Sequence, residues 1–305
     1  MKILLFGSRG QLGWQLQRSL SVLGEVIALH RDTTGLCGDL RDLQGIAASV
    51  ASVRPDVVVN AAAYTAVDRA EDEPQTAFAI NAEACESLAR AAAGVNAWMV
   101  HYSSDYVYGG SGERPWRETD PTGPLSVYGR SKLVGDQAVA RENPKHLILR
   151  TSWVYDSWGQ NFARSILRAA MARDWLTVVA DQWGAPTRAA LIADVTAHVL
   201  RRLADDRAAS LAGIYHLSAS GTTNWHQYAQ LLLREAASHG LPLRASAEQV
   251  RPIPSAEYPV RARRPANSRL DTSKVRDTFG LHLPPWEDGV RAVVAELAKS
   301  PITSP

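Results

Sequence analysis

The stretch that most constrains the fold lies at the start. Lys2 to Phe6 is a short apolar run that ends on Gly7-Ser8-Arg9-Gly10-Gln11-Leu12-Gly13 and passes into a helical pattern through Trp14, Leu16, Leu20 and Leu23. Such a run, closed by glycine, suits a buried parallel strand. Strand, glycine loop and helix in that order give each glycine a task. Gly7 permits the tight turn, Gly10 lets backbone approach a pyrophosphate, and Gly13 lets the helix pack close on the strand while its N-terminus faces the phosphates. The spacing is GxxGxxG rather than GxGxxG. In this context it points to dinucleotide binding rather than to a plain turn.

The rhythm then repeats. Glu25 to Leu29, Asp56 to Val59, Trp98 to Tyr102 and His146 to Arg150 read as further strands. Between them lie helical patterns from about Asp42 to Val53, across alanine-rich Ala77 to Ala93, and through Tyr128 and Lys132. Five β-α units in residues 1–150 predict an α/β fold, a Rossmann-type doubly wound parallel sheet. Beyond Arg150 the rhythm loosens. Residues 151–174 and 218–305 read as a smaller, interleaved C-terminal substrate-binding domain, with segments near 175–217 returning to the sheet.

Composition narrows the partners. Of 305 residues 46% are hydrophobic, which predicts a globular chain, and the net charge is +2. Arg261-Ala262-Arg263-Arg264 is the densest basic cluster; it is too short for a nucleic-acid groove and suits a phosphate-bearing small molecule. Cys37 and Cys85 form no CxxC pattern, so the expectation is two free thiols in a reducing compartment. The run Ile3 to Phe6 is too short for a signal peptide, and no long apolar stretch follows. These features predict a cytoplasmic protein with no membrane partner.

Candidate site residues gather at predicted strand ends, where open α/β sheets bind ligands. Leu29-His30-Arg31-Asp32 closes the second strand. An acid there suits a ribose hydroxyl and an arginine suits a 2′-phosphate; with His30 and Arg31 leading, NADPH is favoured over NADH. Asp39 either accepts from an adenine amino group or helps cap the next helix. Asn60-Ala61-Ala62-Ala63-Tyr64-Thr65 supplies small side chains against which a cofactor can lie, and Asn81 reads as structural. Ser103-Ser104-Asp105 places hydroxyls in the cleft. Tyr128 and Lys132, four residues apart, share a helix face. An ammonium beside a phenol favours the phenolate and predicts a lowered Tyr128 pKa.

The glycine loop, Asn60-Ala61-Ala62-Ala63, Ser103-Ser104-Asp105 and Tyr128-x-x-x-Lys132 occur in the order of the extended short-chain dehydrogenases/reductases. The chain resembles, within that superfamily, the dTDP-4-dehydrorhamnose reductase family. The finer strings are Leu4-Leu5-Phe6-Gly7, His101-Tyr102-Ser103, Arg150-Thr151-Ser152-Trp153-Val154-Tyr155, Asp181-Gln182-Trp183-Gly184-Ala185-Pro186-Thr187 and Arg264-Pro265-Ala266-Asn267-Ser268, and the likeness covers about residues 1–299. The resemblance implies reduction of the 4-ketone of dTDP-4-dehydro-β-L-rhamnose by NAD(P)H, the last step toward an activated sugar used in bacterial cell-wall and lipopolysaccharide polymers.

It also implies roles. Tyr128 would donate the proton. Lys132 would stabilise the phenolate and hydrogen-bond the nicotinamide ribose. Ser104, where the family often has Thr, would polarise the ketone oxygen or tune Tyr128. Asp105 would take a sugar hydroxyl, with a structural loop cap as the alternative. Gly7, Gly10, Gln11 and Leu12 would contact the cofactor, joined by His30, Arg31, Asp39 and Leu40 and then by Ala62, Ala63, Thr65 and Tyr102. Trp153 would face the sugar, with Arg264 and Asn267 toward the diphosphate and nucleotide. Some members form dimers around Mg²⁺ held by glutamates. The matching positions here are Gln15, Ala190 and Glu296, of which one is an acid, so no metal ligand is assigned and a monomer or weak dimer is expected. Two other readings stay open: another nucleotide-sugar reductase or epimerase of the superfamily, and a non-catalytic reductase-like regulatory subunit.

Overall fold

The β-α alternation becomes a six-stranded parallel sheet in a computed structural model that describes residues 1–203 and 208–299. The first half of the chain supplies β1 (Lys2–Phe6), α1 (Gln11–Leu20), β2 (Glu25–Leu29), α2 (Leu43–Val53), β3 (Val57–Asn60), α3 (Val67–Ala70), α4 (Pro74–Phe78), α5 (Ala84–Gly94), β4 (Trp98–Ser104), α6 (Val127–Glu142) and β5 (His146–Thr151). The second half supplies β6 (Val154–Tyr155), α7 (Phe162–Ala172), β7 (Leu176–Val179), β8 (Trp183–Gly184), β9 (Thr187–Arg188), α8 (Ala189–Arg202), β10 (Gly213–His216), β11 (Thr223–Asn224), α9 (Trp225–Ser238), β12 (Val250–Ile253), α10 (Ser273–Phe279) and α11 (Trp286–Leu297).

The sheet runs β2-β1-β3-β4-β5-β10. Strand order reverses between β1 and β3, and there the crevice opens at the carboxyl ends. The register sets Phe6 opposite both Leu29 and Asn60, Asn60 opposite His101, and Ser104 opposite Thr151. The strands read as apolar runs because both faces are covered. Leu4, Phe6, Val58, Met99 and Ile148 pack under α2, α5 and α6. Ile3, Leu5, Val57, Val100 and Leu149 pack under α1, α8 and α10. Each such side chain contributes roughly 1.5–3 kcal/mol on burial. A second core, around Leu167, Tyr228, Leu232 and Val293, joins α7, α9, α11 and β7 into a lobe above the strand ends.

The structure redraws several boundaries. Leu176–Val179 pairs with β12 inside the second lobe instead of returning to the sheet, whereas α8, β10 and α10 do pack on the sheet. Residues 204–207 of the returning segment and 300–305 of the C-terminal domain lie outside the described residues. The alanine-rich helix is broken by a π turn at Ala79–Glu83. There Gly135 of α6 packs so close that a Cβ would lie 2.0 Å from the Asn81 carbonyl oxygen. Asn81 holds the turn by accepting from Tyr64 N (2.8 Å) and donating to Tyr64 O and Ser131 Oγ (both 3.0 Å). β4 runs two residues past its expected end and takes Ser103 and Ser104 into the sheet.

Candidate active site

The glycine loop is a cradle. Gly7 sits at φ +84°, a conformation glycine adopts at no steric cost. A Cβ on Gly13 would lie 2.0 Å from Gly7 O, so the helix rides directly on the turn. At Gly10 an added Cβ meets only Gly7 O, at 3.3 Å. Gly10 offers no side-chain cap, and the first turn of α1 holds no acid, so its N–H groups are left for an anion. These features fit the pyrophosphate of a dinucleotide. Leu12 packs toward the sheet and Leu40 is buried under the other face. Gln11 reaches the second lobe: its Oε1 accepts from Asn161 Nδ2 (2.8 Å) and its Nε2 donates to Gln160 O (3.3 Å).

At the end of β2, Arg31 lies 3.7 Å and Arg9 3.6 Å from the Asp32 carboxylate, all three exposed. His30 faces Thr33 Oγ1 at 2.9 Å. Asp39 is gripped by Arg41 (2.6 Å), which holds its carboxyl below the usual range; the cap of α2 is Asp42, accepting from Gly45 N. Ala62 and Ala63 follow β3, with the Ala62 amide donating to Asn60 Oδ1, and Thr65 is exposed beyond them. Tyr102 points away from the cleft: its hydroxyl pairs with Thr196 on α8 (2.8 Å).

Ser126 caps α6 and so fixes where Tyr128 and Lys132 stand. Burial pushes the Tyr128 phenol up to about 12, against the pull of a hydrogen bond with Ser104. The expected lowering by Lys132 is not found. The buried ammonium instead donates to Tyr102 O (2.7 Å) and lies 3.3 Å from His101 Nε2. Ser104, at the end of β4, donates to Asp105 Oδ1 (3.0 Å) and accepts from Tyr106 N. Burial pushes the Asp105 carboxyl up to about 7, while hydroxyl hydrogen bonds from Ser268 and Ser104 pull it down. The site therefore holds a protonated phenol, a hydroxyl and a buried cation within one strand end and one helix turn. That set can deliver a proton to an oxygen that gains negative charge.

Across the cleft, Trp153 sits in the left-handed region at φ +48°, costly for a bulky residue. It stacks on Trp225 with centroids 3.7 Å apart and covers Gly184. Trp225 opens onto a cavity of about 980 Å³ that Arg173, Arg261 and Arg264 also line. Arg264 pairs with Asp68 (2.8 Å), Arg261 with Asp72, and Arg264 Nε has no partner among the described residues. Asn267 stands where three loops meet. It is buried, its Nδ2 donates to Arg114 O (2.8 Å) and its Oδ1 accepts from Arg269, so its amide ties two loops together.

Comparison with known proteins decides the family. Residues 1–299 match the family model described as the RmlD substrate binding domain. A curated dTDP-4-dehydrorhamnose reductase from Escherichia coli is 51% identical over 297 residues, covering 97% of this chain and 98% of its own length. The chain belongs to the dTDP-4-dehydrorhamnose reductase family. Among solved structures, a dTDP-4-dehydrorhamnose reductase from Clostridium acetobutylicum aligns with a TM-score of 0.87 at 31% identity, covering 97% of this chain and 99% of its own. One from Bacillus anthracis, in complex with NADP, aligns with a TM-score of 0.86 at 31% identity over 97% of this chain and 100% of its own.

The three positions that the resemblance matched to metal-binding glutamates lie on separate helices. Gln15 stands on α1, Ala190 on α8, and Glu296 on α11 accepts from Arg188 Nη2 at 2.5 Å. Among the described residues no group of three or more His, Cys, Asp or Glu side chains is placed to hold a metal. No helix among them is long and apolar enough to cross a membrane. Sequence reading missed Trp225, His101, Asp136 and Arg9. A Lys and an Asp four apart on α6 were a signal for Asp136; a lone His inside an apolar strand gave none for His101.

Proposed function

We propose that this chain reduces the 4-ketone of dTDP-4-dehydro-β-L-rhamnose to dTDP-β-L-rhamnose, with a nicotinamide dinucleotide as reductant and NADPH preferred over NADH. One observation carries the reading: the half-buried Tyr128, its phenol hydrogen-bonded to Ser104 at the end of β4, stands one helical turn before a fully buried Lys132. The cofactor, when bound, supplies the hydride for the ketone carbon. The chain manages the charge left on oxygen. Tyr128 is the proton donor, and a phenol held at about 12 stays loaded with its proton at neutral pH. Ser104 fixes the phenol and supports the developing oxyanion. Lys132 spends N–H groups on Tyr102 O and His101 and keeps a donor for the nicotinamide ribose. Asp105 takes a sugar hydroxyl, Trp153 the apolar face of the deoxysugar, and Arg264 the diphosphate.

Arg9 from the glycine loop and Arg31 from the end of β2, both beside Asp32, support the NADPH preference. The non-carboxylate Gln15 and Ala190, with Glu296 already paired to Arg188, support function without Mg²⁺, as a monomer or weak dimer. The reading also places the protein in the cytoplasm, with no nucleic-acid partner. The test is oxidation of NADPH and of NADH in the presence of dTDP-4-dehydrorhamnose and of a UDP-linked ketone. Turnover with the dTDP sugar and faster use of NADPH are expected. Absence of turnover by a protein that binds NADPH normally would overturn the reductase reading.

A further inference from the structure

Lys132 is embedded in a polar frame that continues away from the cleft. The residue is 2% exposed and its ammonium lies against the Tyr102 carbonyl and His101 Nε2. Strand alternation puts His101 on the face of β4 that lies under α6, opposite to that of Tyr102. His101 is fully buried. An ammonium carries only donors, so the imidazole nitrogen that meets it at hydrogen-bond distance has to be the unprotonated one. The ring proton then sits on Nδ1, which has no partner among the described residues. A buried N–H left unpaired is costly. The other tautomer would not improve matters: it would aim a proton at Asp136 Oδ1, 3.7 Å away and beyond a hydrogen bond, and would lose the bond to Lys132. The orphaned nitrogen is thus the cost of presenting a lone pair to the ammonium.

The frame is pinned from its far side. Asp136 lies one helical turn after Lys132, and its Oδ2 accepts from Arg150 Nε at 3.0 Å. Arg150 Nη1 donates to Tyr108 OH at 2.7 Å, and that hydroxyl pairs with His216 Nε2 at 2.7 Å. The charged or titratable groups facing Lys132 are therefore Cys85 from α5, His101 from β4 and Asp136 from its own helix, with Arg150 from β5 behind Asp136.

We propose that His101 is a positioning residue for the reduction: its Nε2 lone pair holds the Lys132 ammonium against the Tyr102 carbonyl, so that two of three N–H bonds are fixed by the protein and the third is left for the bound cofactor. The proposal rests on the reading of Tyr128 and Lys132 as the catalytic pair. Burial lowers the pKa of Lys132 and holds His101 unprotonated, which agrees with this geometry. Removing the acceptor withdraws a hydrogen bond from the charged form of Lys132. Its pKa then drops further, and the alkaline loss of kcat moves to lower pH.

The experiment compares wild type, His101→Leu and His101→Gln in kcat, sugar-nucleotide KM and the pH profile of kcat, with thermal unfolding as the control for folding. His101→Leu is expected to lower kcat at neutral pH by about ten- to a hundredfold. Its alkaline limb is expected about one pH unit lower, with KM changed by less than about threefold. Glutamine restores an acceptor, so His101→Gln is expected to recover both kcat and the limb. A folded His101→Leu with wild-type kcat and an unmoved limb overturns the proposal, and so does a folded His101→Gln no better than leucine. Nitrogen-15 NMR of the wild-type histidines reads the same claim without a variant. An unprotonated Nε2 on His101 across the neutral range is expected, and a proton there overturns it. Wild-type turnover, measured alongside, separates outcomes: without it the reductase reading fails, and with it a failed variant test removes only the role of His101.

Discussion

The two walls of the cleft are built by different means. The wall that carries Ser104, Tyr128 and Lys132 is regular structure: Ser104 ends a seven-residue strand, Tyr128 and Lys132 open a sixteen-residue helix, and the polar groups behind them are buried and mutually bonded. The opposite wall, around Trp153 and Trp225, is assembled from pieces. Trp153 leaves β5 in a left-handed turn, Trp225 starts α9, Gly184 lies on a two-residue strand, and the arginines come from an irregular stretch strapped to Asp68 and Asp72. A sheet and its helices fix atoms tightly because each is over-determined by neighbours. A wall of short pieces can be reshaped piece by piece. On the proposed assignment, the chemistry falls on the wall of regular structure and substrate choice on the wall of short pieces.

If that contrast is right, the largest effect comes from Tyr128→Phe. The ring and its edge-to-face contact with Tyr106 remain while the proton is lost. The expected fall in kcat is about 10²–10⁴-fold, with KM and NADPH binding near wild type. A variant that keeps its kcat would remove Tyr128 from the chemistry and leave the fold untouched.

Asp105 stands where the two walls meet, and its burial has a thermodynamic consequence. Its carboxyl is held at about 7 in the folded protein against 3.8 as the ordinary value. Below about pH 4 both folded and unfolded chains carry the proton. Between about pH 4 and pH 7 the unfolded chain loses it first, so stability falls as pH rises through this window; above it the full cost is present. Three pKa units correspond to at most ~4 kcal/mol. Asp105→Asn removes this cost, so the variant is expected to gain stability over wild type at about pH 8 by up to that amount and to lose the advantage near pH 4. Denaturant unfolding at both pH values measures it. A difference that stays constant with pH would mean that Asp105 does not titrate in this range.

The sugar wall is tested by Trp225→Leu. Trp225 supports Trp153 from below and donates through Nε1 to Gln182 Oε1 at 3.1 Å. Loss of the stack releases Trp153 from its strained turn. An aromatic pair contributes about 0.5–1.5 kcal/mol beyond its buried area, equivalent to about two- to tenfold in sugar-nucleotide KM with little change in kcat. If kcat falls and KM holds, the walls are not functionally separate.

The same contrast decides what was legible beforehand. Gly7, Gly10, Gly13, Tyr128 and Lys132 could be read because their meaning is local: a turn, a close approach, one helix face. The parallel sheet could be read because each unit repeats a strand and a helix. Trp225 could not, since two-residue strands have no period and the pair it makes with Trp153 exists only after both lobes pack. Nor could the true environment of Lys132. From spacing alone the ammonium belongs to Tyr128; in the fold, Tyr102 O and His101 claim it, and burial rather than charge sets the phenol. The same holds for Asn267, whose motif says nothing of the loops that its amide joins.

The smallest expected effect concerns cofactor choice, at the edge of the rigid wall. Arg9 comes from the glycine loop and Arg31 from the end of β2; both approach Asp32, and all three side chains are about two-thirds exposed. A 2′-phosphate arriving there would exchange one carboxylate partner for a dianion and lose water doing so. Exposed ion pairs are worth only about 0.2–1 kcal/mol each. Arg31→Ser is therefore expected to lower the NADPH-to-NADH ratio of kcat/KM by about two- to fivefold, mostly through NADPH. Because the charges are exposed, the effect should shrink as salt is raised past about 0.15 M, where screening acts within about 8 Å. Equal losses with both cofactors would show instead that Arg31 supports the loop. Selectivity would then have to come from other side chains that the β1 and β2 ends bring to this point, Arg9 and His30 among them.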